Sequence, residues 1–155
     1  AFTPTVSNIR PTSRGHVSIV DKDSRTYAKI KMNYLSTDED RRIAAAGPKL
    51  TRKIVLESET FKKYHPEEYR PGIHLNEDEE ILKAAADYAQ TIFHPVGTCK
   101  MGNDDSAVVT DQLKVHGINN LRVIDASIMP NITSGNTNAP TIMIAEKGAD
   151  MILNN

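Results

Sequence analysis

Ala28-Lys29-Ile30-Lys31-Met32-Asn33-Tyr34 alternates apolar and polar side chains at a period of two, the pattern of a strand with one face turned toward a core. Upstream, Asp21-Lys22-Asp23-Ser24-Arg25 reads as a polar turn, and His16 to Val20 alternates again with Val17 and Ile19 on one face. Together they predict an antiparallel hairpin. It is entered from Ile9-Arg10-Pro11-Thr12-Ser13-Arg14-Gly15, whose proline, serine and glycine suit a loop leading into a strand.

Beyond the hairpin the period becomes helical. Ser36 followed by Glu39, with acids at 38 to 40 and basic residues at 41 and 42, predicts a capped helix start. Ile43, Leu50 and Ile54 continue at helical spacing, but Gly47-Pro48 lies between them. Proline lacks a donor and crowds the preceding turn, so a kink or split is expected there. Phe61 to Leu75 predicts an irregular surface segment. Asn76 with Glu79 is a second capping signature, and the stripe Ile81, Ala84, Ala85, Tyr88 and Ile92 predicts an amphipathic helix ending near Phe93, with His94-Pro95 delivered by its C-terminal edge.

Leu121 to Ile124 reads as a short buried strand entered from an Asn119-Asn120 turn, and Pro140 suits the first position of a last helix. From Ile142 to Leu153 that helix is apolar nearly all round, with Glu146, Lys147 and Asp150 as its charged face. Such a helix expects cover on several sides, either from neighbours missing here or as the centre of a compact domain. The pattern as a whole is α+β, a mostly antiparallel sheet carrying helices on one side.

Composition bounds the function. With 39% hydrophobic residues, 155 residues suffice for one core and exclude a disordered chain. The net charge is −1 with the signs interspersed, so nucleic-acid binding has no electrostatic support. The one cysteine, Cys99, excludes an internal disulfide and fits a reducing compartment, with cytoplasm as the default. Ala1-Phe2-Thr3-Pro4 is neither an initiator nor a leader peptide, and the chain is expected to begin mid-protein. No apolar run is long enough for a spanning helix, while peripheral membrane association stays open. No two of the five histidines stand three to five residues apart, and a metal site is not expected.

Two segments look unlike ordinary core. One runs from Phe93-His94-Pro95 through Gly97-Thr98-Cys99 to Met101-Gly102, the other from Arg122 through Asp125-Ala126-Ser127 and Met129-Pro130 to Asn136-Thr137-Asn138-Ala139-Pro140-Thr141. Histidine has a free pKa near neutrality, and a loop held against Pro95 could fix His94 as a general base; a lone histidine is otherwise a structural or surface group, the reading kept for His16, His65, His74 and His116. Asn136 and Asn138 are either turn-formers or groups facing a ligand. With Pro140 first in its helix the cap falls on Ala139, which has no side chain to offer. The positive helix end then awaits an anionic ligand or a cap from elsewhere in the fold. Cys99, Met101, Met129 and Met143 read as packing residues.

His94-Pro95-x-Gly97-Thr98-Cys99-x-Met101-Gly102, then Leu121-Arg122-Val123-x-Asp125-Ala126-Ser127-x-Met129-Pro130 and Asn136-x-Asn138-x-Pro140-Thr141, resembles the C-terminal signature of the glucose-methanol-choline oxidoreductases, in particular their choline-dehydrogenase-like branch. The resemblance extends to Pro11-Thr12-Ser13-Arg14-Gly15, Asn33-Tyr34-Leu35-Ser36 and the last helix, and is weakest between about 57 and 76. It implies FAD as cofactor and a small alcohol as substrate, oxidised to the aldehyde. His94 would accept the hydroxyl proton and Asn136 would hold the substrate oxygen. Asp125 and Ala126 would approach the ribityl and pyrophosphate region, and Thr137 and Asn138 the flavin ring at the N-terminus of the last helix.

It further implies that 1–102 belongs to a substrate-binding domain and that 103–155 returns, with a strand and a helix, to an FAD-binding domain whose main part lies upstream. That domain's G-x-G-x-x-G turn is not found here, since no two of the eight glycines are separated by one residue. The chain alone is therefore expected neither to retain FAD nor to turn over, the N-terminal half being its necessary partner. A lyase of the same family and a cofactor-less interaction domain remain alternatives. The alcohol and the electron acceptor are left unnamed.

Overall fold

The computed structural model describes residues 1–154. In chain order it contains strands β1 (His16–Ser18) and β2 (Lys29–Lys31), helices α1 (Asp38–Glu57), α2 (Glu59–Lys62) and α3 (Asp78–Tyr88), a 3-10 turn at Ala126–Ile128, and helix α4 (Asn138–Leu153). The fold is α+β, with one two-stranded antiparallel sheet among the described residues. The chain forms two compact regions. The first comprises Ala1–Gly15 and Lys31–Gln90, the second His16–Ile30 and Thr91–Asn155.

The hairpin forms where the alternation places it, but it is shorter than the pattern, and both strands are exposed along their length. Ile19 is 89% and Ile30 65% exposed, so the apolar face that defines the strands in sequence is not covered by this chain. Positive φ at Asn33 (56°) and Leu35 (53°) ends the extended stretch. Gly15 lies so close to the Lys31 and Met32 carbonyls that any side chain there would collide with backbone.

In the first region α1 starts one residue later than the Ser36 reading, with Thr37 as N-cap accepting from the Asp40 amide. Asp38, Glu39 and Asp40 occupy its first turn, as the dipole favours. Asp40 does more than complement a dipole. It is 4% exposed, and its carboxylate accepts from the Thr12 amide (2.9 Å), the Ser13 amide (2.8 Å) and Asn8 Nδ2 (3.0 Å), pinning the N-terminal loop to the helix. Burial opposes its ionisation, but the hydrogen bonds from Ser13 and Thr12 prevail and hold its pKa below the ordinary carboxylate value.

The split expected at Gly47-Pro48 is not found: α1 runs unbroken through Pro48. The missing proline donor removes one helical bond, yet both halves of the helix are anchored. Ahead of it stand Asp40 and the packing of buried Ala45 and Gly47, the latter within 2.9 Å of Val6 if given a Cβ. Behind it stands Arg52, which makes a paired contact with Glu68 (2.7 and 2.9 Å) and donates to the carbonyls of Leu75 (2.6 Å) and Gly72 (2.9 Å). Both side chains are 11% exposed. The Arg52 guanidinium holds the Glu68 carboxyl below its usual range against the opposing effect of burial. This ion pair and its carbonyl contacts tie down the loop from Glu68 to Leu75; of the irregular segment expected from Phe61 to Leu75, the first two residues belong to α2 and the rest carries no regular structure.

α3 packs on α1 through buried Ile81 and Ala84. Its capping box is Glu77 with Glu80, one residue beyond the Asn76–Glu79 reading. It ends at Tyr88 rather than near Phe93, with Ala89 already extended (φ −69°, ψ 147°). Ile92 is therefore outside the helix and exposed. β-branched Thr91 and Ile92, followed by a residue restricted by Pro95, do not sustain helix.

The second region surrounds an apolar cluster of Val109, Leu113, Ile128, Met129 and Ile144. The strand expected at Leu121 to Ile124 is reduced to a single bridge, Lys114 with Arg122, because its one ladder partner is the short stretch 113–115. Leu121 is exposed and only Val123 and Ile124 turn inward. The Asn119-Asn120 turn is present, with Asn120 left-handed (φ 59°). α4 buries Ile144 and Gly148, with Thr141 and Met151 half-buried on the same stripe, whereas Ile142, Met143, Ile152 and Leu153 are exposed. No helix among the described residues is long and apolar enough to cross a membrane.

Candidate functional site

The two chemically unusual segments meet in the second region. The Cys99 amide donates to the Ser127 carbonyl (3.0 Å) and the Met101 amide to the Ile128 carbonyl (2.8 Å). Gly97 passes over Met129 with φ at 90°, a conformation that costs glycine little and other residues much. The first segment is thus laced along the 3-10 turn of the second.

His94 is brought to this surface by a tight local geometry rather than by a helix end. Five residues separate it from α3. Phe93 is left-handed (φ 62°), its amide held by Thr91 Oγ1 (3.0 Å), and Pro95 follows at once. The His94 ring is half-buried, and its Nδ1 lies 2.9 Å from Thr137 Oγ1.

The start of α4 differs from the sequence reading. The N-cap is Thr137, not Ala139, and Pro140 is the third helical residue. Proline is tolerated there because no N–H of the first turn has an intrahelical acceptor. The end is nevertheless without a side-chain cap, as expected, because the Thr137 hydroxyl turns to His94. Thr141 secures the turn by donating both its amide (3.0 Å) and its hydroxyl (2.6 Å) to the Thr137 carbonyl.

Of the other candidates, Asn136 precedes Thr137 and is exposed, as is Asn138, and neither carboxamide has a partner among the described residues. Asp125 is also exposed, but its carboxylate is engaged in capping the 3-10 turn, accepting from the Ser127 amide (2.7 Å) and hydroxyl. Ala126 packs against the apolar cluster. The structure therefore brings His94 and Thr137 into contact, carries Asn136 and Asn138 on either side of that contact, and leaves Asp125 and Ala126 one loop away at the 3-10 turn. The side chain of Thr137 is the functional group that residue patterns miss. It stands 43 positions from His94, and no local spacing signals the pair.

Surface depressions of about 260 Å³ beside Arg41 and Glu79 and about 570 Å³ under the 114–122 loop include none of these residues. Among the described residues no group of His, Cys, Asp and Glu could hold a metal ion. What the site offers is one imidazole, two free carboxamides and the unpaired first-turn donors of α4. Donors at a positive helix end suit an electron-rich ligand that takes up negative charge.

A family model described as GMC oxidoreductase matches residues 11–145, and the chain belongs to that family. The oxygen-dependent choline dehydrogenase of Pseudomonas syringae pv. tomato is 47% identical to it over 151 residues, 97% of this chain and 26% of that protein. Among solved structures, pyridoxine 4-oxidase from Mesorbium loti superposes with a TM-score of 0.87 at 35% identity, over 95% of this chain and 28% of that one. A formate oxidase of Aspergillus oryzae RIB40, studied for modification of its FAD, does so with a TM-score of 0.85 at 32% identity, over 97% of this chain and 28% of that one. The chain thus spans 26 to 28% of the length of these relatives. These relatives are oxidoreductases, dehydrogenases and oxidases by name, and FAD is the cofactor of the parent enzymes.

Proposed function

We propose that this chain is the substrate-side, catalytic-residue-bearing part of an FAD-dependent enzyme that oxidises a small primary alcohol to its aldehyde. The choline dehydrogenase relatives make choline the first substrate to test. The observation that carries the reading is the meeting of His94 with the start of α4, which assembles from two distant stretches one proton acceptor and a cluster of free donors.

In this reading His94 accepts the proton of the alcohol hydroxyl, and Asn136 donates its carboxamide N–H to the substrate oxygen and orients it. Thr137 and Asn138 would hold the flavin ring through their backbone groups, and Asp125 and Ala126 the ribityl and pyrophosphate region. FAD, when bound, supplies the acceptor for the hydride that leaves the alcohol carbon. The first-turn donors of α4 would, with the flavin held there, stabilise negative charge on it without reorganising. Residues 1–102 belong in this reading to the substrate-binding domain, and 103–155 return to the FAD-binding domain. The exposed apolar faces of β1, β2 and α4 support this, since they are where a larger antiparallel sheet and a nucleotide-binding domain would add their cover.

The test is His94→Ala in the complete protein that carries this chain. Turnover of choline and other primary alcohols is expected to fall roughly 10²–10⁴-fold, the usual range for a positioned acid–base group, with the flavin spectrum retained. Near-normal turnover would remove His94 from the mechanism. Failure of any alcohol to bleach the flavin under anaerobic conditions would favour a lyase of the same family.

A further inference from the structure

We infer that Thr137 is a positioning residue for His94: its hydroxyl accepts from Nδ1–H, fixing the ring and its tautomer so that Nε2 is the nitrogen that receives the substrate proton. The inference rests on the reading of His94 just given and deepens it.

An N-cap threonine ordinarily turns its oxygen back to the amides of its own helix. Thr137 does not. Its backbone is in the right-handed helical region (φ −87°, ψ −2°), its side chain makes no cap bond, and its Oγ1 has His94 Nδ1 as its partner at 2.9 Å. The residue cannot easily drift, because it is 8% exposed, it is β-branched, and its carbonyl is held by both donors of Thr141. On the other side of the bond, the His94 backbone is set by left-handed Phe93 and by Pro95, but backbone alone does not fix the rotation of an imidazole. The contact with Thr137 is the hydrogen bond that does.

The chemistry of the pair follows from what each group can do. A proton-accepting histidine must be neutral with its proton on the nitrogen turned away from the substrate. Nδ1–H donating to Thr137 Oγ1 meets that need and leaves Nε2 with a free lone pair. When Nε2 takes up the alcohol's proton, the ring becomes imidazolium and Nδ1–H goes on donating to the same oxygen, so no group rotates during the transfer. The hydrogen positions follow from this chemistry, and the ring resonances read them.

The complete, FAD-loaded protein is compared with Thr137→Val, which keeps the shape and removes the hydroxyl, and with Thr137→Ser, which restores it. Three readouts are used: the split between kcat and KM, the pH profile of kcat/KM, and the ¹⁵N resonances of the His94 ring, assigned by their disappearance in His94→Gln. Thr137→Val is expected to lower kcat on the order of 10²-fold, the scale of a misplaced reacting group, with little change in KM. It is also expected to move the pH profile and to lose the Nδ1–H tautomer, whereas Thr137→Ser recovers all three. If Thr137→Val does not fold, Thr137→Ala takes its place under the same criteria. Wild-type kcat together with an unchanged tautomer in the variant overturns the proposal, as does an Nε2–H tautomer in the wild type. Normal turnover in His94→Gln would instead defeat the underlying reading of His94, while the ring resonances would still report whether Thr137 holds the imidazole.

Discussion

Among the described residues, the buried polar residue of Ala1–Gly15 with Lys31–Gln90 is the charged Asp40, joined by the nearly buried pair Glu68 and Arg52; that of His16–Ile30 with Thr91–Asn155 is the neutral Thr137. The first region has few buried apolar residues, Ala45, Ile81 and Ala84, and secures its long loops by charge-assisted hydrogen bonds to two carboxylates. The second packs five buried apolar side chains and laces its loops with backbone hydrogen bonds. The difference teaches where each region is vulnerable. One depends on the ionisation of carboxylates, the other on volume and shape. The candidate chemistry sits in the second, where a hydroxyl rather than a carboxylate faces the histidine.

The comparison breaks most severely at Arg52. Arg52→Met leaves the Glu68 carboxylate buried without its guanidinium, and is expected to destabilise the first region by about 3–5 kcal/mol, measured by urea unfolding. Adding Glu68→Leu should restore most of that loss, because two apolar groups replace the stranded charge. A double variant as unstable as the single one would show that the ion pair is not the organising contact.

A smaller effect follows from pH. Asp40 and Glu68 have pKa values below their ordinary 3.8 and 4.5. A lowered native pKa means that the unfolded chain binds more protons over that window, so stability rises with pH there. The contribution of both groups is fully present above the ordinary values and is lost as pH falls below 4 through the native ones. Amide hydrogen exchange scanned from pH 6 to pH 3, corrected for intrinsic rates, should therefore show α1 and the Pro11–Gly15 loop losing protection before the amides of 109–115 and 128–129. Asp104 and Asp150 of the second region are also held low, by Ser106 with Lys100 and by Lys147 respectively, but both carboxylates are exposed and solvent-screened. Simultaneous loss in both regions would erase the distinction.

The smallest effect is expected at Lys49, paired with Asp78 at 2.7 Å on the surface between α1 and α3. Both side chains are solvated, and Lys49→Ala should change stability by no more than about 1 kcal/mol. A larger loss, measured against Arg52→Met in the same assay, would mean that burial is not what separates strong from weak ion pairs in this region.

How far the sequence could be read follows the same physics. The hairpin, the two acid-rich helix starts and the apolar last helix announce themselves because period and first-turn charge are local properties. The signature segments were legible as a site through their resemblance to a family, and the structure joins them along 99–101 and 127–128. The tertiary compensations were not legible. Gly47-Pro48 looks like a break until Asp40 and Arg52 are seen anchoring the two halves of α1. Asp40 itself looks like an ordinary first-turn acid, because nothing local shows that Thr12 and Ser13 come to cover it. Pro140 points to a helix start two residues too late because proline is tolerated throughout the first turn, and the bond between His94 and Thr137 spans 43 positions that no periodicity connects.

Gly148 gives α4 a fulcrum. A Cβ there would stand 2.4 Å from Ile124 Cγ2, so the helix has its closest approach to that side chain some eleven residues, or about 16 Å, from Thr137. A methyl group added at that point must displace either the Ile124 side chain or the helix, and any tilt of the helix is largest at its far end, at the hydroxyl beneath the imidazole. Alignment at the reacting end is thereby entrusted to the absence of a single carbon atom far from it.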